Sequence, residues 1–525
     1  MATAPHDGFA QLVHAEWTKL RTVRGWLVGL LAAVVLTIGI GLLGPLGSQI
    51  SCVHVDGGGC SAQSPPKGPD GREVVDDKTI VYRFLSGDGS ITARLTDFDG
   101  EYAPTGDVQA GTVHGLQPWS KAGILIKDGI KPGSPYAAVL ATGSHGVRMQ
   151  YDYVHDLPGL AGPVSAATPR WLRLVRTGDV ITGLNSADGA MWTAIGTVRL
   201  ANLPHDLVIG VFAASPQYEV IKSSFGGTRS NGGPTTATGT FDRIALTGQT
   251  SGDWTVPPTY TGSGPDGQPL RPQGGDGPKA PTGAVQHGSD GFVITGSGNI
   301  APMAVSEGSG KTVESALAGT FAGLIAVIVV AALTMTAEYR RGLIRTSLAA
   351  SPRRGRLLAA KATVLGGASF VTGLAAAAIA VPSVTALEHH KGLYVFHASA
   401  GAQIRIVVGT AALLAVAAVL ALAVGTIVRR GAAAVAAVIV VIVLPYILAV
   451  ASVLPAGAAQ WLTRLTPAAA FAVQQTVTSW PQVTAVYTPT NGYYPLSPWT
   501  GLAVLCLYAA VAYALAHRLL LRRDA

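Results

Sequence analysis

Three short strings in this chain have the residue types of a phosphate cradle. Gly308-Ser309-Gly310-Lys311-Thr312 matches the end of a P-loop, in which backbone N–H groups hold phosphates, the lysine reaches the terminal phosphates and the threonine meets Mg2+. The full pattern requires a glycine where this chain has Val305, and no strand and helix frame it. Leu85-Ser86-Gly87-Asp88-Gly89 loosely matches a nucleotide-binding signature loop but reads as a turn between strands. Gly262 to Gly267 fits G-x-G-x-x-G inside a Gly-rich stretch, where a lone match is weak. The chain therefore reads as having no ATP site and no cofactor of its own.

Hydrolytic chemistry has no better support. Glycoside hydrolysis needs two opposed carboxylates. Asp97, Asp99, Glu101, Asp152 and Asp156 supply the side chains, and sequence places no two of them across a cleft. His145, His155, His205, His389, His390 and His397 lack an H-E-x-x-H or Ser/His/Asp context. The expectation is a non-enzyme with no metal. Cys52 and Cys60 lie close together across V-H-V-D-G-G-G and read as a disulfide outside the cytoplasm. His54 and Asp56 between them leave a metal site as the alternative. Cys506 sits in an apolar run and reads as packing.

Composition places these residues in a membrane protein. Of 525 residues, 48% are hydrophobic and 13% charged, apolar-rich and charge-poor for a soluble chain. The net charge of +8 sits largely at the ends of apolar runs. That is the pattern of membrane orientation and does not make the footprint of a nucleic-acid binder.

Six apolar runs are long enough to span a bilayer: about 25–44, 313–337, 359–381 with a stop near Pro382, 404–428, 431–454 and 499–521. Before the first, Phe9, Leu12, Val13, Trp17 and Leu20 recur at near-helical spacing. Residues 1–24 thus read as an amphipathic helix on the inner membrane face, or as an ordinary flank. The segment 338–361 carries seven Lys/Arg and one acid. Arg429 and Arg430, with Arg522 and Arg523, mark two further basic junctions, whereas the loops 382–403 and 455–498 carry only Lys391 and Arg464. The bias places both termini in the cytoplasm. The spans hold no central acid suited to a proton relay, so a transporter of this kind needs an outside energy source.

Between the first two spans lies a polar insert. Residues 48–250 read as an extracytoplasmic all-β sandwich, with strands at 79–85, 90–96, 122–127, 136–142, 147–153, 171–176, 180–184, 208–213 and 241–247 separated by Gly-rich turns. Residues 251–311 read as a Gly/Pro-rich tether with one returning strand at 292–295.

The chain resembles the permease subunits of type-two ABC exporters, especially actinobacterial ones. A-E-W-T-K-L-R-T-V-R is similar to that family's membrane-surface elbow helix. T-A-E-Y-R-R-G-L-I-R-T-S-L-A-A-S-P-R-R-G-R-L-L-A-A-K resembles its cytoplasmic coupling loop. W-L-T-R-L-T-P-A-A-A-F-A-V-Q-Q resembles its re-entrant segment before the last span, here 456–480. The resemblance implies a multi-pass subunit of the cytoplasmic membrane, built as a dimer with a second copy or paralogue. A separate cytoplasmic ATPase binds the ATP. Glu338, Tyr339, Arg340, Arg341, Arg345, Arg353 and Arg354 are its expected docking residues; plain positive-inside anchoring is the alternative for the arginines. The insert resembles concanavalin-like, laminin-G-like jelly rolls. Trp119, Tyr151, Trp171 and Trp192 then supply either a glycan-stacking platform or the sandwich core. A membrane-anchored carbohydrate receptor is the rival function.

Overall fold

A computed structural model describes residues 8–47, 64–104, 111–224, 227–257, 283–288, 290–305, 310–340, 354–451 and 454–522. It contains a large β domain and six helices long and apolar enough to cross a membrane. Helix α1 (Phe9–Thr22) precedes the apolar α2 (Arg24–Gly47), and the β domain follows. Then come α3 (Thr320–Arg340), led in by a 3-10 turn at Val313–Leu317, α4 (Arg354–His390), α5 (Ala400–Val428), α6 (Gly431–Val450), α7 (Ala456–Leu465) and α8 (Pro498–Arg522). The reading of a multi-pass membrane protein with a β-sandwich fits this architecture.

The sandwich is one antiparallel sheet folded onto itself. Its pivot is the strand Thr79–Tyr102. Residues 79–86 pair with the strand Asp206–Ala214, which continues to Lys121–Lys127, Tyr136–Thr142 and Val147–Tyr151. Residues 89–95 pair with Arg170–Thr177, which continues to Val180–Ser186 and Thr193–Arg199. Sequence reading splits this pivot into two strands at Gly87-Asp88-Gly89. The structure keeps one strand and changes layer there. Gly87 takes φ 69°, a value glycine adopts without steric cost. A Cβ on Gly89 would sit 2.4 Å from the Thr247 carbonyl oxygen. The glycines make a bend in the strand and no chain reversal.

Leu85, Ile91, Leu95, Ile124, Ile126, Met149, Leu172, Leu174, Ile181, Ile209 and Phe241 fill the space between the layers. The strands Lys121–Lys127 and Tyr136–Thr142 are buried on both faces. This is why K-A-G-I-L-I-K and Y-A-A-V-L-A-T show little polar alternation. Their second face, with Leu125, Tyr136 and Leu140, packs with Tyr153 and is covered by Val74 and Ile300 of the short ladder Val74–Asp76 with Ile300–Pro302. The returning strand expected at 292–295 is present as Gly291–Gly296, and Ala284–His287 and Ile300–Pro302 pair as well; residues 258–282, the Gly/Pro-rich part of the expected tether, lie outside the described residues.

Polar groups are enclosed beneath that cover. Lys127 Nζ lies 3.0 Å from Asp76 Oδ2 and donates to Ser134 O and Tyr153 Oη. Lys121, with no exposed surface, donates to Asn299 Oδ1 at 2.9 Å and to Ile300 O. Burial pushes Lys121 down to about 7, with Asp156 opposing the shift. Burial also pushes Lys127 down to about 8, with Asp76 opposing. Burial alone would raise Asp76, but Lys78 and Lys127 beside it hold it at about 2.

In the helical layer α5 is central. It packs on α3, α4 and α8, and Leu413, Leu414, Ala417, Ala418 and Ala421 line its contacts. Small residues allow close approach: a Cβ on Gly373 would fall 2.8 Å from Ala411 Cα. Gln474 Nε2 donates to both Thr320 Oγ1 and Thr410 Oγ1 within the bundle. Sequence reading stops the third span near Pro382, yet α4 runs through it to His390. An interior proline removes one helical hydrogen bond, and the turns around it hold. Cys506, expected as packing, lies on the exposed face of α8, because Leu505 and Ala509 take the inward stripe.

The buried lysines set a pH dependence. Between about 7 and 10.5 the unfolded chain holds a proton on Lys121 that the folded chain lacks, so stability rises with pH across that window. Below about 7 both states are protonated and the cost of burial stands in full. Unfolding of the full chain, followed through β-sheet circular dichroism from about pH 7 to about pH 10, should show a rising midpoint. Lys121→Met should flatten the rise; equal slopes would contradict this assignment.

Candidate functional site at the two ends of the helix bundle

At the end of the bundle where α1 lies, four charged side chains converge from three helices. α1 contributes Glu16 and Lys19, α3 contributes Glu338 from its last turn, and α4 contributes Lys361. Lys361 Nζ lies 2.8 Å from Glu16 Oε2 and 2.6 Å from Glu338 Oε1. Lys19 Nζ lies 2.7 Å from Glu16 Oε1 and 3.4 Å from Glu338 Oε1. Two carboxylates and two ammonium groups balance. Glu16, Glu338 and Lys361 are 8%, 6% and 3% exposed, and Lys19 faces partly outward. Burial of charge at this level is tolerated only when it is paired.

The docking residues expected from sequence divide in this frame. Glu338 is turned into the cluster, away from solvent. Tyr339 is half-buried, with the Arg429 guanidinium 4.9 Å over its ring. Arg340 is exposed at the end of α3. Arg354 Nη1 donates to Leu520 O in the last turn of α8, where a cation is favoured by the helix dipole. Glu338 and Arg354 thus bracket the two roots of the basic segment. Arg341, Arg345 and Arg353 lie outside the described residues, as do Cys52 and Cys60. Sequence reasoning missed Lys361 and Lys19 as partners. The available signal was the isolation of Glu16 and Glu338, single acids in two basic stretches.

The four aromatic residues do not make one surface. Trp119 is buried and stacks on His145 at 4.0 Å. Tyr151 stacks on His155 at 4.3 Å. Trp171 and Trp192 belong to the other layer and meet across Gly189, whose carbonyl accepts the Trp192 indole N–H. The Arg173 guanidinium lies 3.9 Å over Trp192, and Arg94 and Arg243 lie 5.7 Å from Trp171. Each ring already has a neighbour against it.

At the opposite end the β domain sits on the helices. Glu73 Oε1 accepts from the Tyr394 hydroxyl and from His397 N–H in the α4–α5 connection. Gln482 reaches the carbonyls of Tyr153 and Val154, and Ala301 and Ala304 pack with Val483 and Ala485. A cavity of about 380 Å³ remains between the two parts, walled by Arg72, Glu73, Phe396, His397, Arg405 and Trp480 among others. Among the described residues no group of His, Cys, Asp and Glu is arranged to hold a metal ion.

No family model matches this chain, and no curated protein matches it. Among solved structures, scytalido-glutamic peptidase with a transition state analog inhibitor aligns over 42% of this chain and 98% of its own, at 8% identity and TM-score 0.25. A functionally unknown protein from Saccharomyces cerevisiae aligns over 36% of this chain and 84% of its own, at 14% identity and TM-score 0.20. The alginate lyase from Klebsiella pneumoniae aligns over 31% and 61%, at 14% identity and TM-score 0.17. Likeness this slight carries no functional argument.

Lys361 is the test of the cluster. Removing one partner of a buried ion pair leaves uncompensated charge, at a cost of about 3–5 kcal/mol. Lys361→Met should lower the unfolding stability of the detergent-solubilised chain by that order. Glu338→Gln combined with Lys361→Met should recover part of the loss, whereas additive losses would show that the two side chains are not coupled.

Proposed function

We propose that this chain is the membrane-spanning subunit of an ATP-driven ABC export system. It moves its substrate across the cytoplasmic membrane with energy from a separate cytoplasmic ATPase. Both termini and the basic segment 338–361 face the cytoplasm, and the β domain, with the jelly-roll character its sequence suggests, faces outward. A second copy or a paralogue completes the permease, and lipid surrounds it.

The observation that carries this reading is the four-charge cluster at the root of the basic segment. Glu338 lies in the last turn of α3 and Lys361 about two turns into α4, so the two helices that flank the segment are joined in one frame. Glu16 and Lys19 fasten the surface helix α1 to that same frame. Arg354 adds the end of α8. A force applied to 341–353 therefore reaches α1, α3, α4 and α8 together. A partner pressing there biases the bundle between two arrangements to the extent that it binds one of them better. In this reading Arg340, Arg341 and Arg345 meet the ATPase, while Glu338 and Arg354 transmit the force.

The test is reconstitution with candidate ATPases. Arg341→Glu and Arg345→Glu together should abolish co-purification and ATPase stimulation while leaving the chain folded. Full complex formation and stimulation by that double variant would overturn the proposal.

A further inference from the structure

Helix α6 is held differently along its length. Its last stretch, Leu444–Val450, is anchored. Tyr446 is 9% exposed and stacks on Phe471 at 3.9 Å, with Phe321 at 6.3 Å. Phe471 belongs to the 3-10 segment Pro467–Gln474, every residue of which is buried. In the middle the helix is loosened. Ile439–Val443 form a π turn in which the Leu444 N–H reaches back five residues to Ile439 O. Pro445 follows and brings no N–H to the ladder. π turns and prolines are among the ordinary causes of a bend in a long helix. The first eight residues, Gly431–Val438, bury only Ala434 and Val438. A stretch with so little burial costs little to displace.

The near end of this stretch is held beside α3 by an unusual residue. Arg429 ends α5 at φ 60°. That left-handed backbone costs an L side chain energy and a glycine none. The Arg429 guanidinium lies 4.9 Å over the Tyr339 ring near the end of α3, within the range of a cation–π contact. Its Nε is buried and takes no hydrogen bond among the described residues. A glycine would end α5 without either cost, so the ring contact is what the arginine adds. Two residues on, Gly431 lies so close to α3 that a Cβ would fall 2.9 Å from Leu333 Cδ2. Backbone strain favours release and the stack favours closure, which is the balance of a two-state latch. We propose that Gly431–Val438 is a lever, hinged at the π turn and latched by Arg429 on Tyr339. When the latch opens, the lever swings away from α3 at the end where α1 lies, and Tyr446 keeps Leu444–Val450 in place. The lever needs no ATPase to be detected, so it stands or falls apart from the transport reading.

Distances within the full chain in lipid nanodiscs test the lever, read by pulsed electron resonance between genetically encoded spin labels. One pair sits at Arg340 and Ala433, across the latch; the other sits at Ile404 and Ile447, beside the anchored stretch. All four positions are exposed. Arg429→Gly removes the guanidinium and relieves the backbone. Against the otherwise unmodified chain it should raise the share of a longer distance between positions 340 and 433 by about threefold or more. The distance between positions 404 and 447 and the unfolding temperature should not change. Tyr339→Leu should do the same to both distances. Tyr339→Phe keeps the ring and should match the unmodified chain in both. If Arg429→Gly fails to fold, Tyr339→Leu carries the test. An unchanged first pair overturns the latch. Movement of both pairs together shows that α6 moves as a rod and overturns the hinge. Release by Tyr339→Phe shows that the ring is not the contact and overturns the latch as well.

Discussion

Lys361 stands between two carboxylates from two other helices, and the arrangement of the bundle at this end depends on that contact. An apolar helix satisfies its own backbone but says little about its neighbours. Between helices in lipid the usual hydrophobic drive is missing, so specific contacts must set position. Here Glu16, Lys19, Glu338 and Lys361 bring α1, α3 and α4 to one point with charge in balance. The same point is the root of the most basic inter-helix segment. The transport proposal rests on this bracket lying at the place where the proposed ATPase would press.

The far end of the molecule is built on a different constraint. One layer of the β-sandwich has two buried faces, and one of them is covered by the short ladder Val74–Asp76 with Ile300–Pro302, which leads on toward the helices. Asp76, Lys127 and Lys121 are the polar consequences of that double burial. Beyond Pro302 the chain continues into the wall of the cavity between the two parts through Met303 and Ala304. The β domain is thus attached by more than its two chain connections. Glu73 and Gln482 hold it to the loops of the helical part.

Much of this architecture was legible in the sequence because apolar runs of about twenty residues have few other uses. The ends were harder. Pro382 reads as a stop, yet the helix continues, because packing from neighbouring elements outweighs one lost hydrogen bond. Gly87 and Gly89 read as a reversal, yet they bend a single strand between layers, a distinction decided by partners far away in sequence. The cluster was half visible. Glu16 and Glu338 stood out as lone acids, but pairing across 345 positions to Lys361 is not written in local spacing. The cavity between the β domain and the helices was invisible, since its walls come from several separate stretches of chain.

The claim that an external motor acts on the basic segment is tested most directly by a photo-crosslinking amino acid at position 345 in living cells. The account predicts an adduct between this chain and a soluble protein that carries complete P-loop and signature motifs, lost when Glu338 and Lys361 are both neutralised. Adducts to lipid or to unrelated proteins alone, in cells where the chain is abundant and folded, would contradict it.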